Sequence, residues 1–261
     1  MVEYYESELM NLIATYMWAL MRVGTMLMVM PIFSAKGLPN NIKLGIIIVI
    51  TAAMMPVIPK APDINLLGLE MVLISGQQIL IGAMIGMIMQ MVFNAVVFGG
   101  QGISTSAGLS FASMMDPASG ETVPVVAQLL VILTTLLFIT IDGHHIMIEM
   151  IAESFTTLPI GLQGIARTDI TDVANWVTKI FAGGVVLALP TIGAILMVNV
   201  GFGVITKASP QISIFTIGIP ITIFLSFMIM WVTLPSMMNQ FLNMVESAFE
   251  IIRAIIVAKQ G

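Results

Sequence analysis

The chain holds two histidines, and they are adjacent, in "DGHHIMIE" over residues 142–149. His145 and Glu149 fall four residues apart, which places them on one face of a helix, and His144 adds a second imidazole. The chemistry this could support is metal binding. A zinc peptidase helix needs two histidines at that four-residue spacing, with a glutamate directly after the first. Here the histidines are neighbours, and neighbours on a helix point about 100° apart. With no third ligand evident, the spacing predicts no metal site. The absence of cysteine removes thiolate ligands, disulfides and a thiol nucleophile together. No Gly-x-Ser-x-Gly elbow, phosphate loop or dinucleotide fingerprint occurs. The sequence therefore predicts no catalytic residue, no cofactor and no enzyme.

The remaining charges are few, and three of them, Arg22, Glu70 and Asp116, stand within or beside apolar runs. A charge at the centre of a bilayer costs about 2.5–3.5 kcal/mol on insertion scales. Arg22 reads as a structural residue that pairs with a carboxylate or with backbone carbonyls, and Glu70 as a second structural charge. Asp116 belongs to a different kind of segment, "GLSFASMMDPASGETVPV" over 108–125. Asp116, Pro117 and Gly120 together exclude a helix interior. Such a segment cannot face lipid; it reaches water as a surface turn, lies buried in protein, or lines a water-filled passage. The preceding "GGQGISTSAGLSFAS" is small and polar, suited to close backbone packing around a channel. Methionine is abundant at 24 residues, mostly as adaptable core filler, with a sealing role for Met114 and Met115 beside the polar segment.

These residues sit among elements of membrane type. The hydrophobic fraction is 58%, charged residues are 9%, and mean hydropathy is +1.05. A soluble domain carries about a quarter charged residues. The net charge of −5 and the scattered lysines and arginines argue against nucleic acid. The N-terminal segment lacks a basic start and carries Glu3, Glu6 and Glu8, so it does not read as a cleaved signal. Six apolar runs, at 10–33, 42–58, 66–98, 123–141, 180–206 and 212–238, approach the roughly 20 residues that cross a bilayer. Pro190 and Pro220 fall inside the fifth and sixth and are expected to break or bend them. Lys36, Lys43, Lys60 and Lys207 set no consistent orientation. A polar linker at 142–179 breaks at Pro159 and Gly161 and restarts as a helix capped by Asp169 or Thr171. Past it, Phe241, Met244, Val245, Ala248, Phe249, Ile252 and Ile255 share one helical face, with Glu246, Glu250 and Arg253 on the other. The expected fold is all-α: a membrane-associated protein of kinked hydrophobic helices and helical hairpins. A multi-pass secondary transporter shares broken helices and buried charges with this pattern.

Six motifs in order carry a resemblance: "MRVGTMLMVMPIFSAKGLPNNIKLGI", "QQILIGAMIG", "GLSFASMMDP", "DGHHIMI", in which the second histidine reads as a local variation, "TLPIG" and "SPQISIFTIGIPI". Together they resemble the FliR family of the type III export gate, flagellar members more closely than virulence-secretion members, over nearly the whole chain. The resemblance implies one copy assembled with several FliP-like and FliQ-like subunits, and with FlhB-like and FlhA-like neighbours. It places that gate in the bacterial inner membrane, at the flagellar basal body, as the passage for unfolded flagellar proteins. It implies a single domain over 1–261, with a FliP-like part at 1–165 fused to a FliQ-like hairpin and amphipathic C-terminal helix at 166–261. It also implies that the segment holding Phe111, Ser113, Met114, Met115, Asp116, Pro117 and Gly120 acts as a plug in the closed gate.

Overall fold

A computed structural model describes residues 2–33, 39–62, 68–109, 113–115, 122–162, 164–208 and 219–257. Seven helices carry the described chain: α1 Val2–Val29, α2 Asn40–Met54, α3 Leu69–Ser106, α4 Val125–Thr140, α5 Gly143–Thr157, α6 Arg167–Ala208 and α7 Ile219–Val257. Two three-residue strands, β1 Ser113–Met115 and β2 Thr122–Pro124, stand between α3 and α4. The all-α membrane class holds, with that small ribbon as an addition. Each expected apolar run has a helix among its described residues. α1, α3, α6 and α7 are long and apolar enough to cross a membrane; α4 and α5 add a fifth span if that bent pair is counted as one. α2 has 15 residues, about 22 Å at 1.5 Å per residue, and falls short of the roughly 30 Å of hydrocarbon.

The chain forms two compact units, interleaved in sequence. The first comprises 1–90, 139–177 and 247–261, and the second 91–138 and 178–246. In the first unit α1 and α3 run parallel. Trp18 Nε1 donates to Ser75 Oγ at 3.1 Å and Arg22 Nε to Gln78 Oε1 at 2.8 Å, so one turn on α1 matches one turn on α3. Their approach depends on glycine. A Cβ on Gly82 would strike the Arg22 carbonyl and Thr25, and one on Gly86 would lie 2.7 Å from the Met26 carbonyl. This four-residue glycine spacing lets two apolar helices touch along their backbones where no hydrophobic effect drives them together. Trp18, Met26, Met30, Ile81, Ile88 and Met89 are buried along the seam, so the filler role holds for these methionines.

The second unit repeats the device. Gly99 faces the Gly184 carbonyl, with a Cβ there at 2.6 Å, and Gly184 in turn faces the Ala95 carbonyl, so α3 and α6 cross on small residues. Gly100 packs on Ala127 of α4. These glycines begin the small-residue run expected to pack closely. Phe93 joins Phe138 of α4 and Phe241 of α7 through edge-on ring pairs at 5.7 and 5.5 Å. α6 and α7 are antiparallel: Thr191 bonds Thr233 at 2.7 Å, Gly183 packs against Met244, and in the first unit Trp176 Nε1 donates to Ser247 Oγ at 2.9 Å. The predicted stripe on α7 is present: Phe241, Met244, Val245, Ala248, Ile252 and Ile255 are buried, while Glu246, Glu250 and Arg253 are exposed.

Several expectations shift in detail. α6 continues through Pro190 as an unbroken helix. Pro220 is the second described residue of α7, and Pro235 lies inside that helix. α6 starts at Arg167, and Asp169 acts from its third position, accepting the Ala166 N–H at 2.7 Å. That is one half of a capping box, with the carboxylate reaching back rather than forward. Lys36 and residues 209–218 lie outside the described residues.

Candidate functional site

The polar segment between α3 and α4 is built from its flanks. α3 ends in a left-handed glycine, Gly108, at φ 74. Leu109 N–H bonds the Ser104 carbonyl at 2.9 Å, and Gly108 N–H bonds the Thr105 carbonyl at 3.2 Å. This paired closure is the Schellman stop, and it needs the positive φ that glycine supplies without steric cost. Asn199 on α6 donates to the Ser106 carbonyl at 3.0 Å, taking up another of the helix's last acceptors. The chain then enters β1, which pairs antiparallel with β2 in the register Ser113 to Pro124, Met114 to Val123 and Met115 to Thr122. Pro124 closes the ribbon and α4 begins at the next residue. Beneath these junctions Ile103, Leu109 and Val126 line an apolar recess with Phe227 and Met230 of α7.

A two-stranded ribbon has two open edges, each with unpaired backbone groups. In hydrocarbon each such group costs several kcal/mol, so open edges occur at membrane depth only against protein or water. Alone, a pair this short is marginal, and its placement depends on what surrounds it. Ser113, Met114 and Met115 lie on β1; Phe111, Asp116, Pro117 and Gly120 lie outside the described residues.

Arg22 is fully buried on α1, within a candidate span. Each of its three nitrogens is hydrogen-bonded, and among the described residues no carboxylate takes part. Nε donates to Gln78 Oε1 at 2.8 Å, Nη1 to the Ser154 carbonyl at 2.8 Å and to Ser154 Oγ at 3.2 Å, and Nη2 to the Leu158 carbonyl at 2.9 Å. Its Cζ also lies 4.3 Å from the centre of the Phe155 ring. Ser154 and Leu158 stand at the C-terminal end of α5, where spare carbonyl lone pairs and the helix dipole favour a cation, the Ser154 carbonyl also accepting the Leu158 N–H at 3.0 Å. Of the two expected partner types, the structure shows carbonyls. Glu70 is elsewhere, exposed in the first turn of α3, where a carboxylate suits the positive helix end. It is no partner to Arg22. The sequence reading missed Gln78, Ser154 and Phe155; the signal was a buried polar residue in each of two apolar helices, in "SGQQ" and "ESFTTLP".

Comparison with known proteins matches residues 13–248 to the family model "Bacterial export proteins, family 1". The chain is 35% identical over 237 residues to "Flagellar biosynthetic protein FliR" of Pectobacterium carotovorum subsp. carotovorum, covering 90% of each chain. It is 37% identical over 220 residues to the protein of that name from Escherichia coli K12, covering 84% of each. To the Bacillus subtilis 168 protein it is 22% identical over 228 residues, covering 86% of this chain and 87% of that one. Long apolar helices, close-packed on glycine and carrying a buried, hydrogen-bonded arginine, coincide with a family match over nine-tenths of the chain. The chain belongs to the bacterial export proteins of family 1, as a membrane-helical member related to the flagellar biosynthetic proteins FliR.

Proposed function

We propose that this chain is the FliR-like subunit of a flagellar type III export gate, a channel component rather than an enzyme. One copy assembles with FliP-like and FliQ-like subunits, beside FlhB-like and FlhA-like neighbours, in the bacterial inner membrane at the flagellar basal body. The gate passes unfolded flagellar proteins. Within the chain, 1–165 is the FliP-like part and 166–261 the FliQ-like part, the latter agreeing with the antiparallel pairing of α6 and α7. The segment holding Phe111, Ser113, Met114, Met115, Asp116, Pro117 and Gly120 is the plug of the closed gate.

The observation that carries this reading is the ribbon β1–β2, a pair of open-edged strands set between two apolar helices. Lipid excludes such edges, and a passage lined by protein and water accepts them. Shortening the segment within 111–120 tests it. Loops contribute little core burial and tolerate changes of length, so the complex still assembles, but cells carrying it take up a small membrane-impermeant dye. An assembled variant gate as tight as wild type sinks the plug.

A further inference from the structure

We propose that Asp142, His144 and His145 bind one divalent transition-metal ion of the zinc type at the head of α5. His144 and His145 lie in the first turn of α5, and although neighbours on a helix diverge by about 100°, their side chains turn toward each other. Their rings lean together, with centroids 4.0 Å apart and planes at 38°. The third ligand comes from the turn before. Asp142 is left-handed, at φ 56 and ψ 25, and is the one non-glycine residue with positive φ among the described residues. Its carbonyl accepts the first bonds of α5, from the His145 and Ile146 N–H groups, at 2.9 and 3.1 Å. Its side chain makes no capping bond, although aspartate is a preferred cap. Instead Asp142 Oδ1 lies 3.1 Å from His145 Nδ1. His144 Nδ1 is shut from solvent and has no hydrogen-bond partner.

One donor atom from each of the three residues falls within 4.8 Å of the others. Zinc bonds of about 2.0–2.2 Å set the edge of a tetrahedral site near 3.4 Å. The Asp142–His145 separation already matches that edge, and the longest separation needs to close by roughly 1.4 Å. The Asp142 and His145 side chains are about 70% exposed and free to make that adjustment. Two imidazoles and one carboxylate suit zinc, cobalt, nickel or copper in preference to magnesium or calcium. Three protein ligands leave a fourth position for water. The cation sits near the positive end of α5, and the Asp142 carboxylate offsets that repulsion. Bound metal fixes the turn between α4 and α5 and holds α5 at its head, while Arg22 holds its other end.

The inference is independent of the gate reading. The test uses the full-length chain, co-expressed with its neighbouring subunits, purified in mild detergent through a tag without histidine and stripped with EDTA. Co²⁺ is titrated by visible absorption, then displaced with Zn²⁺. Wild type takes up one Co²⁺ per chain, with the spectrum of nitrogen and oxygen ligands. Asp142→Asn weakens binding at least tenfold. The double variant His144→Ala, His145→Ala weakens it by more than the roughly 10–100-fold lost with an outer-sphere partner, at unchanged elution volume. If the double variant does not assemble, His145→Gln is read in its place. No saturable uptake by wild type, or equal uptake by the variants, overturns the site, whatever the dye measurement shows.

Discussion

Every Arg22 hydrogen bond goes to a neutral group. Removing the side chain orphans Gln78 Oε1 and the Leu158 carbonyl, while the Ser154 carbonyl keeps the Leu158 N–H at 3.0 Å; each buried group left unpaired costs about 1–3 kcal/mol. Arg22→Ala therefore lowers the yield of assembled complex more than it changes export per complex, read by size-exclusion yield beside secretion of a reporter. Normal yield with lost export would transfer Arg22 from structure to transport. Arg22→Lys recovers part of the yield, because an ammonium supplies three donors without the planar fork. That Arg22 is buried and pairs with polar groups was legible from its type and its apolar surroundings. That its partners were carbonyls and an amide was not, because they arrive from residues 56 to 136 positions away. The same limit hid Asp142. Its place beside His145 depends on a left-handed backbone that residue spacing alone does not display.

Helices in this chain approach on glycine, and the price of a methyl group differs sharply between positions. At Gly184 an added Cβ meets the Ala95 carbonyl, backbone that cannot step aside, whereas at Gly45 it meets nothing within 4 Å. Gly184→Ala should reduce complex yield strongly. Gly45→Ala should leave it intact or improve thermal resistance, since alanine is better than glycine in a helix interior by roughly 0.5–1 kcal/mol. Thermal aggregation of the purified complexes, compared side by side, checks both; equal behaviour of the two variants would remove close crossing as the reason for glycine. At this scale the sequence was informative about where apolar helices run and about the α7 stripe, because periodicity follows from burial on one face. It was poor at breaks. Pro190 looked like a break within a helix, yet α6 runs unbroken from Arg167 to Ala208. Three-residue strands leave too little alternation to be read, so the ribbon at Ser113–Met115 and Thr122–Pro124 appeared only as a polar interruption.

Over the molecule as a whole, burial and hydropathy disagree. The most apolar window of α7 is 17% buried and that of α6 39%, and Trp231, Met197 and Val232 are each more than three-quarters exposed. Scattered apolar residues are ordinary on any surface, but a row of them along two helices calls for lipid or protein against it. Purified without neighbours, the chain should aggregate or lose its fold on warming, and co-purified with them it should elute as a discrete hetero-oligomer. A monomer that stays dispersed and helical in mild detergent would favour the transporter reading. α6 and α7 hold 42 and 39 residues, so each is about 60 Å long, twice the hydrocarbon thickness. Such a surface also makes the chain's survival conditional. Until lipid or protein covers Trp231 and Val232, the newly made chain carries an apolar row that favours aggregation over folding.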